Sequence, residues 1–397
     1  MRHLVIAPQP FFTPRGTPLS VYYRTLVLSE LGVEIDLLTY GEGRDPDIPN
    51  VRVLRIPRFA WFGNVRIGPS LLKLFLDVFV AARAVLLLMR NRYDVVHAHE
   101  EAVFFSRFLK PLFRFKLVYD MHSSLPQQLT NFDFTDSRII HYIFKKLEIS
   151  CINAADAVIT ICPDLRDYVN QIIADRDKHF LIENSIFEPV KLKGDESFVA
   201  GEQSSNDIAD VPSGRFCFVY AGTLEPYQGI DVLIRAFPKV IERNPDAFLL
   251  VAGGSSAQVE HFRALAKAER LEDHCLLTGN VPQSLANAYM EKADVLLSPR
   301  TEGTNTPLKI YQKLASGIPL VATNTYSHTQ VLDDEVAFLA DPEPEAFGEA
   351  MITAMVDKSA ARVKAENAIR RYDEKYSRES YVEKLNAVLS ALRECVG

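Results

Sequence analysis

The stretch Arg300–Thr323 combines residue types that bind phosphate with the pattern of a strand, a loop and a helix. A short apolar run predicted as a buried strand, Asp294–Ser298, precedes the loop, and a second one, Ile318–Ala322, follows the helix. The predicted helix, Pro307–Ser316, has proline in its first turn and is closed by Gly317. Loops of this kind bind anions at the carboxyl ends of parallel strands. The stretch therefore predicts a diphosphate site.

Several groups in this stretch could neutralise a diphosphate. The backbone N–H groups around Thr306 and Leu308 are predicted to open the helix and to face the anion, with a threonine of this loop as the cap. A cation in the first turn of a helix is unfavourable unless an anion balances it, so Lys309 is predicted to bind phosphate rather than to be a solvated surface lysine. Arg300 is a second candidate cation. Lys313, one turn further on, is predicted to be an ordinary surface charge.

Histidines form a second polar group, in the first half of the chain. His97 lies in the predicted strand Asp94–Ala98 and His99 directly follows it, two residues on, so their side chains share one face. Such a pair could bind a metal ion, but no third ligand is specified, and a structural or acceptor-side role is favoured. His122 follows the predicted strand Lys116–Asp120, where it could hydrogen-bond a substrate or accept a proton. The alternative for His122 is a bond to local backbone.

The totals exclude several classes of protein. The chain has 397 residues, 48% of them hydrophobic, which is enough for two domains with sizeable cores. A net charge of −7 argues against binding to nucleic acid. The five cysteines are scattered and lack CxxC spacing, which is typical of free thiols in a reducing compartment. With no signal peptide visible, we expect a cytoplasmic protein.

Strands and helices alternate along most of the chain, which predicts an α/β fold with mostly parallel sheets. The polar, Gly/Ser-rich segment Lys193–Gly214 interrupts this alternation and predicts a linker. We therefore expect two Rossmann-like domains that face each other across a cleft. The predicted parts are a first domain over 1–190, a linker over 191–214, a second domain over 215–375 and a helix over 376–397 that returns to the first domain.

Two segments bear on membrane association. Leu71–Met89 is apolar, but Lys73, Asp77 and Arg83 interrupt it, so a helix packed on a sheet is favoured over a membrane span. Phe105–Lys116 interleaves aromatic and basic residues, a pattern suited to an anionic membrane surface. The same pattern is found where a helix connects to a strand over a core. Peripheral contact with the inner face of the membrane is thus a hypothesis.

Six segments together resemble the family 4 glycosyltransferases of the GT-B fold. In the first half they are Asp94–His99 and Leu117–His122. In the second half they are the turn Ala221–Ile234, the strand Phe248–Gly254, and the two parts of the nucleotide-sugar segment, Pro299–Gly303 and Leu314–Thr323. No single segment is specific, but the combination covers most of the chain. The resemblance implies two Rossmann-like domains in GT-B arrangement, with acceptor bound by the first and donor by the second.

The resemblance also implies an activity. It is retaining, metal-independent transfer of a hexose from a nucleotide diphosphate sugar to a glycan, a lipid-linked acceptor or a small-molecule hydroxyl, without a cofactor. His122 and Glu302 then become the catalytic candidates. The loop after the first strand, with Arg15 and Gly16, would approach the donor phosphate, and the turn at Gly222 would add backbone donors.

This sequence departs from the family pattern at the donor site. The family places Arg at the position of Thr223 and Lys at that of Gln228, where both meet the diphosphate, and here both positions are neutral. Gln312 replaces the glutamate that holds the nucleotide ribose, and it can still hydrogen-bond a pair of hydroxyls. Glu302 matches the other glutamate of that motif, with two additional residues between the pair.

These departures leave two alternatives to ordinary catalysis. One is a degenerate family member that binds nucleotide sugar or partner proteins without turnover. The other is a GT-B-fold sugar-nucleotide epimerase, which the segment from Gly317 onwards does not exclude and the context of Glu302 and Gln312 disfavours.

Overall fold

The structure is a computed structural model that describes residues 1–13, 16–58, 70–124, 138–184, 186–187, 190–193, 212 and 214–394. The chain forms two compact units. The first holds the elements from Arg2 to Leu181 together with the last helix, and the second holds the elements from Phe216 to Lys375. Arg15 and most of the predicted linker, 194–211, lie outside the described residues.

A seven-stranded parallel sheet forms the centre of the first unit, in the order β3-β2-β1-β4-β5-β6-β7. Its strands are β1 (Arg2–Ala7), β2 (Glu34–Thr39), β3 (Val51–Arg55), β4 (Val95–His99), β5 (Lys116–Met121), β6 (Ala157–Thr160) and β7 (His179–Leu181). β4, β5 and β6 are buried at nearly every position, which is typical of parallel strands covered on both faces.

In the described ranges, five helices connect these strands, and a sixth comes from the end of the chain. They are α1 (Gly16–Glu30), α2 (Leu71–Arg90), α3 (Ala102–Phe113), α4 (Arg138–Ala154), α5 (Pro163–Ile172) and α13 (Arg378–Glu394). Ser70 caps α2 by accepting a hydrogen bond from the backbone N–H of Lys73, at 3.2 Å. Leu76, Val80 and Ala84 of α2 pack into the core beside the sheet. None of the helices in the described ranges combines the length and apolar character needed to cross a bilayer.

The second unit contains a six-stranded parallel sheet in the order β10-β9-β8-β11-β12-β13. Its strands are β8 (Phe216–Ala221), β9 (Ala247–Ala252), β10 (Cys275–Gly279), β11 (Val295–Ser298), β12 (Leu320–Thr323) and β13 (Phe338–Ala340). Its helices are α6 (Ile230–Arg243), α7 (Ser256–Ala268), α8 (Gln283–Glu291), α9 (Lys309–Ala315), α10 (Tyr326–Thr329), α11 (Pro344–Val356) and α12 (Lys358–Lys375). Strand order reverses between β8 and β11, so this is the switch point where ligands bind in such sheets.

The end of the chain is helical with two breaks. One break falls at Tyr376–Ser377, and the other falls at Asp357, whose side chain caps α12 by accepting from Ala360 N–H at 2.9 Å. Within the first unit, α13 packs through Tyr381 against Arg24 of α1, with the guanidinium carbon 5.2 Å from the ring centre. This helix therefore covers a buried charge of the unit to which it belongs.

Candidate functional site

Two loops of the second unit meet at the switch point. Thr301 N–H donates to the carbonyl of Tyr227 at 2.9 Å, which joins the loop after β11 to the loop after β8. Gly229 has a φ of +68°, and a Cβ there would lie 2.0 Å from the carbonyl oxygen of Pro299. Only glycine fits this approach. The two loops are therefore held together by backbone.

The turn after β8 also approaches its other neighbour, β9. Gly222 N–H donates to the carbonyl of Ala252 at 2.9 Å, and a Cβ on Gly253 would lie 1.8 Å from the Gly222 oxygen. Thr223 and Gln228, the neutral replacements for the family's two cations, hydrogen-bond to each other at 3.3 Å. These two positions are therefore adjacent.

Lys309 brings a positive charge to this turn from a different element. Its Nζ donates to the carbonyl oxygen of Ala221, at the end of β8, over 3.1 Å. Removal of the amino group from water lowers its pKa. Lys309 thus places an ammonium group at Ala221, two residues before Thr223. Thr223 is the position at which the family has its arginine.

The predicted start of the helix after this loop was wrong. α9 begins at Lys309, with Leu308 at the cap position and no side-chain cap. Thr306 does not cap it, because its buried Oγ1 has no hydrogen-bond partner, while the carbonyl of Pro307 accepts from Ile310 N–H in a tight turn. At seven residues α9 is too short to supply a substantial dipole, so the charge at this site comes from side chains.

Arg300 is a second cation beside the same turn. Its guanidinium carbon lies 5.1 Å from the ring centre of Tyr227, and its Nε donates to the backbone carbonyl of Glu302 at 2.6 Å. Burial lowers its pKa. Gly303 has a φ of +118°, and a Cβ there would lie 2.1 Å from the guanidinium. The Glu302 side chain is exposed.

Lys313 contradicts its prediction as a surface charge. Its side chain is buried, with 3% exposure, and its Nζ donates to the carbonyl of Leu297 in β11 at 2.6 Å. Burial, with a smaller effect of Lys309, lowers its pKa to about 7. Lys309 and Lys313 are four residues apart, so they share one face of α9. This spacing was the signal in the sequence that the two side chains lie on the same side of the helix, in a common environment. Gln312, on the same helix, donates through Nε2 to Asn287 Oδ1 of α8 at 2.9 Å.

A buried serine–histidine pair supports the loop that carries Arg300. Ser298 Oγ lies 3.0 Å from His328 Nε2, and His328 Nδ1 lies 2.9 Å from the carbonyl oxygen of Thr323. Burial lowers the pKa of His328 to about 4, so the imidazole is neutral. Thr323 also donates through Oγ1 to the carbonyl of Arg300. Sequence reasoning missed this pair.

In the first unit the polar centre is Asp120, which sequence reasoning also missed. It is fully buried, and its Oδ2 accepts from Arg24 Nε at 2.9 Å and lies 3.0 Å from His97 Nε2. Burial opposes its ionisation, but Arg24, His99 and His122 outweigh this effect and hold its pKa well below the ordinary value. A carboxylate inside an apolar strand needs a buried partner, and this was the available signal.

His99 and His122 form a contact in this centre. His99 Nδ1 lies 3.0 Å from His122 Nε2, and Asp120 Oδ1 lies 3.4 Å from the latter atom. Burial lowers the pKa of His122 to about 4 and that of His99 well below its usual value. Both rings are therefore neutral at physiological pH, so one of them donates and the other accepts.

Three side chains of this centre have the spacing of a metal site. His97, His99 and Asp120 each place one ligand atom within 4.8 Å of the others. Arg24 binds the same carboxylate, and its positive charge opposes a second cation there. The donor set therefore fits a charge network better than a metal centre.

The remaining predicted residue of the first unit is Gly16. It is the first residue of α1 and is exposed, and a Cβ added there would meet nothing within 4 Å. No contact within the described protein therefore requires glycine here, and the approach of Gly16 to the donor phosphate stays a prediction. Arg15, its neighbour, is outside the described residues.

Two parallel sheets with flanking helices, each with polar groups at the carboxyl ends of strands, have the architecture of the GT-B fold. A sucrose-phosphate synthase from Thermosynechococcus elongatus has the same fold, with a TM-score of 0.73, 17% identity and 99% of each chain covered. Anabaena HepE in complex with UDP gives a TM-score of 0.72 at 16% identity, over 98% of this chain and 100% of HepE. At these low sequence identities, both similarities establish the fold alone.

The family follows from the sequence comparisons. The model for Glycosyltransferase Family 4 matches residues 15–186, and the model for Glycosyl transferases group 1 matches residues 203–372. Between them they match most of the chain, which belongs to this glycosyltransferase family. A stretch of 158 residues is 32% identical to the phosphatidyl-myo-inositol mannosyltransferase of Mycobacterium tuberculosis. That match covers 38% of this chain and 41% of that relative.

Proposed function

We propose that the protein is a retaining, metal-independent hexosyltransferase that uses a nucleotide diphosphate sugar as donor. The observation that carries the proposal is the group of cations at the switch point of the second unit. Among the described residues, no carboxylate pairs with Lys309, Lys313 or Arg300, whose polar contacts are backbone carbonyls. Unpaired cations that are partly or fully buried are costly, and a diphosphate would balance them.

The reaction needs this charge. The bond from the anomeric carbon to a diphosphate oxygen breaks, a bond from that carbon to the acceptor oxygen forms, and the acceptor hydroxyl loses its proton. Negative charge develops on the departing diphosphate, and Lys309 and Arg300 would stabilise it together with the backbone N–H groups of the turn at Gly222. Gln312 would hydrogen-bond the ribose, and Glu302 remains the catalytic candidate from the family motif.

The first unit would serve the acceptor. A neutral His122 can hydrogen-bond a sugar hydroxyl, and contact with His99 restrains its ring. Its pKa of about 4 makes it a weak base, so the departing diphosphate would take the proton of the acceptor hydroxyl. Asp120 would orient this pair, with His97 and Arg24 as its other partners. The acceptor is a glycan, a lipid-linked glycan or a small-molecule hydroxyl.

Turnover with a panel of donors tests this proposal. The protein is incubated with UDP-, GDP-, ADP- and dTDP-sugars and cell-derived acceptors, and binding, nucleotide release and epimerisation are followed. We expect one donor to bind and to release its nucleoside diphosphate only when acceptor is present. Failure of every donor to bind would exclude the transferase. Binding without release would favour the degenerate family member, and epimerisation without transfer would favour the epimerase.

We also propose that the first unit contacts an anionic membrane from the cytoplasmic side. Large apolar side chains are exposed on the neighbouring helices α3 and α4, among them Phe108, Leu112 and Ile139 at 60%, 73% and 72%. Lys110 pairs with Asp156 at 2.8 Å, so its charge is already balanced within the protein. Apolar side chains therefore contribute more to the proposed membrane contact than the pattern of basic residues in the sequence predicts. The relative from M. tuberculosis is named for a lipid acceptor, which supports this proposal.

Vesicle co-sedimentation tests the membrane proposal. Leu112→Glu is expected to reduce the fraction bound to vesicles containing anionic lipid several-fold, because it places a charge in the apolar surface. Val363→Glu, at an exposed apolar residue of the second unit, serves as the matched control. Equal binding by both variants, or binding that is indifferent to anionic lipid, would exclude the proposed surface.

A further inference from the structure

Among the described residues, Lys313 is the most deeply buried cation at the switch point of the second unit. Its amino group contacts the carbonyl of Leu297 in β11, and that of Lys309 contacts the carbonyl of Ala221 in β8. β8 and β11 are neighbours in the sheet, and both carbonyls lie at the carboxyl edge. The two amino groups therefore occupy adjacent strand ends.

Within the described part of the chain, no negative charge acts on Lys313. The ring centre of Tyr220 in β8 lies 5.7 Å from its Nζ, Lys309 acts on it from its own helix, and His328 lies near enough from α10 to be affected by it. Arg300 follows β11 and also acts on His328. The helix α12 packs against α9 through an apolar cluster that includes Ala368 of α12 and Leu314 of α9. Every charge acting on Lys313 is thus positive or absent.

We propose that Lys313 is an internal cation of the donor site that takes up a proton when a nucleoside diphosphate binds beside Lys309. The inference rests on the proposed function, because it requires a diphosphate at this turn. Without the anion, a protonated Lys313 would be a buried charge that is also repelled by Lys309, so the neutral amine is favoured. The bound anion reverses the local potential and favours the ammonium form.

The direction of proton transfer on binding follows from the pKa of Lys313. Burial lowers the pKa of Lys313 to about 7, so the amine is mostly neutral above that pH in the free protein. The anion raises the pKa, and binding therefore consumes a proton from solvent. Affinity for the diphosphate then falls as pH rises above about 7, because deprotonation of Lys313 competes with binding.

Calorimetric titration of the intact protein with the nucleoside diphosphate that it binds, in buffers of different ionisation enthalpy, measures this uptake. We expect between about 0.5 and 0.9 proton per site at about pH 8, where the diphosphate is fully ionised. Lys313→Met should bind more weakly and take up no proton. Lys292→Met, at an exposed lysine of the same unit, should take up as many protons as the wild type.

The outcomes separate the inference from the function. Binding by the wild type without proton uptake would overturn the role of Lys313 and leave the donor site intact. Uptake that persists in Lys313→Met would assign the proton to another group and overturn the inference as well. No binding of any nucleoside diphosphate would overturn the proposed function itself. Because the wild-type uptake needs no variant, the test holds even if Lys313→Met fails to fold.

Discussion

Lys309→Met is expected to weaken binding of the nucleoside diphosphate about 10- to 100-fold, since a hydrogen bond between an ammonium group and a phosphate contributes about 1.5–3 kcal/mol. The methionine keeps the length of the side chain and removes its charge. The carbonyl of Ala221, which accepts from Lys309 Nζ at 3.1 Å, lies at the strand end and would be solvated when the lysine is absent. Titration calorimetry measures the change.

Lys292→Met is the matched control for this variant. Lys292 is exposed in the same unit, and its removal changes the net charge by the same amount. We expect it to bind as the wild type does. Equal loss in the two variants would mean that the total charge of the unit, and not the site, governs affinity.

Asp120→Ala is expected to lower the free energy of unfolding by about 3–5 kcal/mol, because it leaves a buried Arg24 without its carboxylate. Arg24 is 1% exposed and donates to Asp120 through Nε at 2.9 Å and Nη2 at 3.4 Å. The same change frees the contact between His99 and His122, so transferase activity should fall as well. Chemical denaturation gives the stability of the folded protein.

A double variant separates charge from packing in this prediction. Replacing the pair together, Arg24→Met with Asp120→Leu, removes both buried charges and should be less destabilising than Asp120→Ala alone. Asp47→Asn, at an exposed aspartate of the same unit, should leave stability within about 0.5 kcal/mol of the wild type. A double variant no more stable than Asp120→Ala would show that packing, not the unpaired guanidinium, determines the loss.

The sheets could be predicted from sequence because buried parallel strands are continuous apolar runs. The observed strands differ by one or two residues at their ends from the four predicted ones, Asp94–Ala98, Lys116–Asp120, Asp294–Ser298 and Ile318–Ala322. β13 (Phe338–Ala340) was missed, since three residues show no period and the strand is defined by pairing with β12. The split between Val356 and Lys358 was missed because both flanks are strongly helical.

The candidate site was predictable only where it depends on backbone. Gly222 and Gly317 lie in turns as expected, and Gly317 has a φ of +72°. The partners of side chains could not be predicted: Asp120 is paired by Arg24 from 96 residues earlier, and Lys313 contacts Leu297 in β11 and the ring of Tyr220 in β8. Such contacts are set by tertiary packing, which local patterns do not contain.

The central claim is that the cations of the donor site have moved from the turn after β8 to the helix after β11. Returning one of them to its family position tests this directly. Gln228 lies beside Thr223 in that turn, at 3.3 Å, so Gln228→Lys would place an ammonium group there. The measurement is calorimetric titration of Lys309→Met and of the double variant Gln228→Lys, Lys309→Met with the nucleoside diphosphate.

We predict that the double variant binds the nucleoside diphosphate at least about tenfold more tightly than Lys309→Met does, which corresponds to about 1.4 kcal/mol. Recovery would show that the two positions serve one phosphate site. A double variant that binds no better than Lys309→Met, or a Lys309→Met variant that binds as tightly as the wild type, would contradict the account.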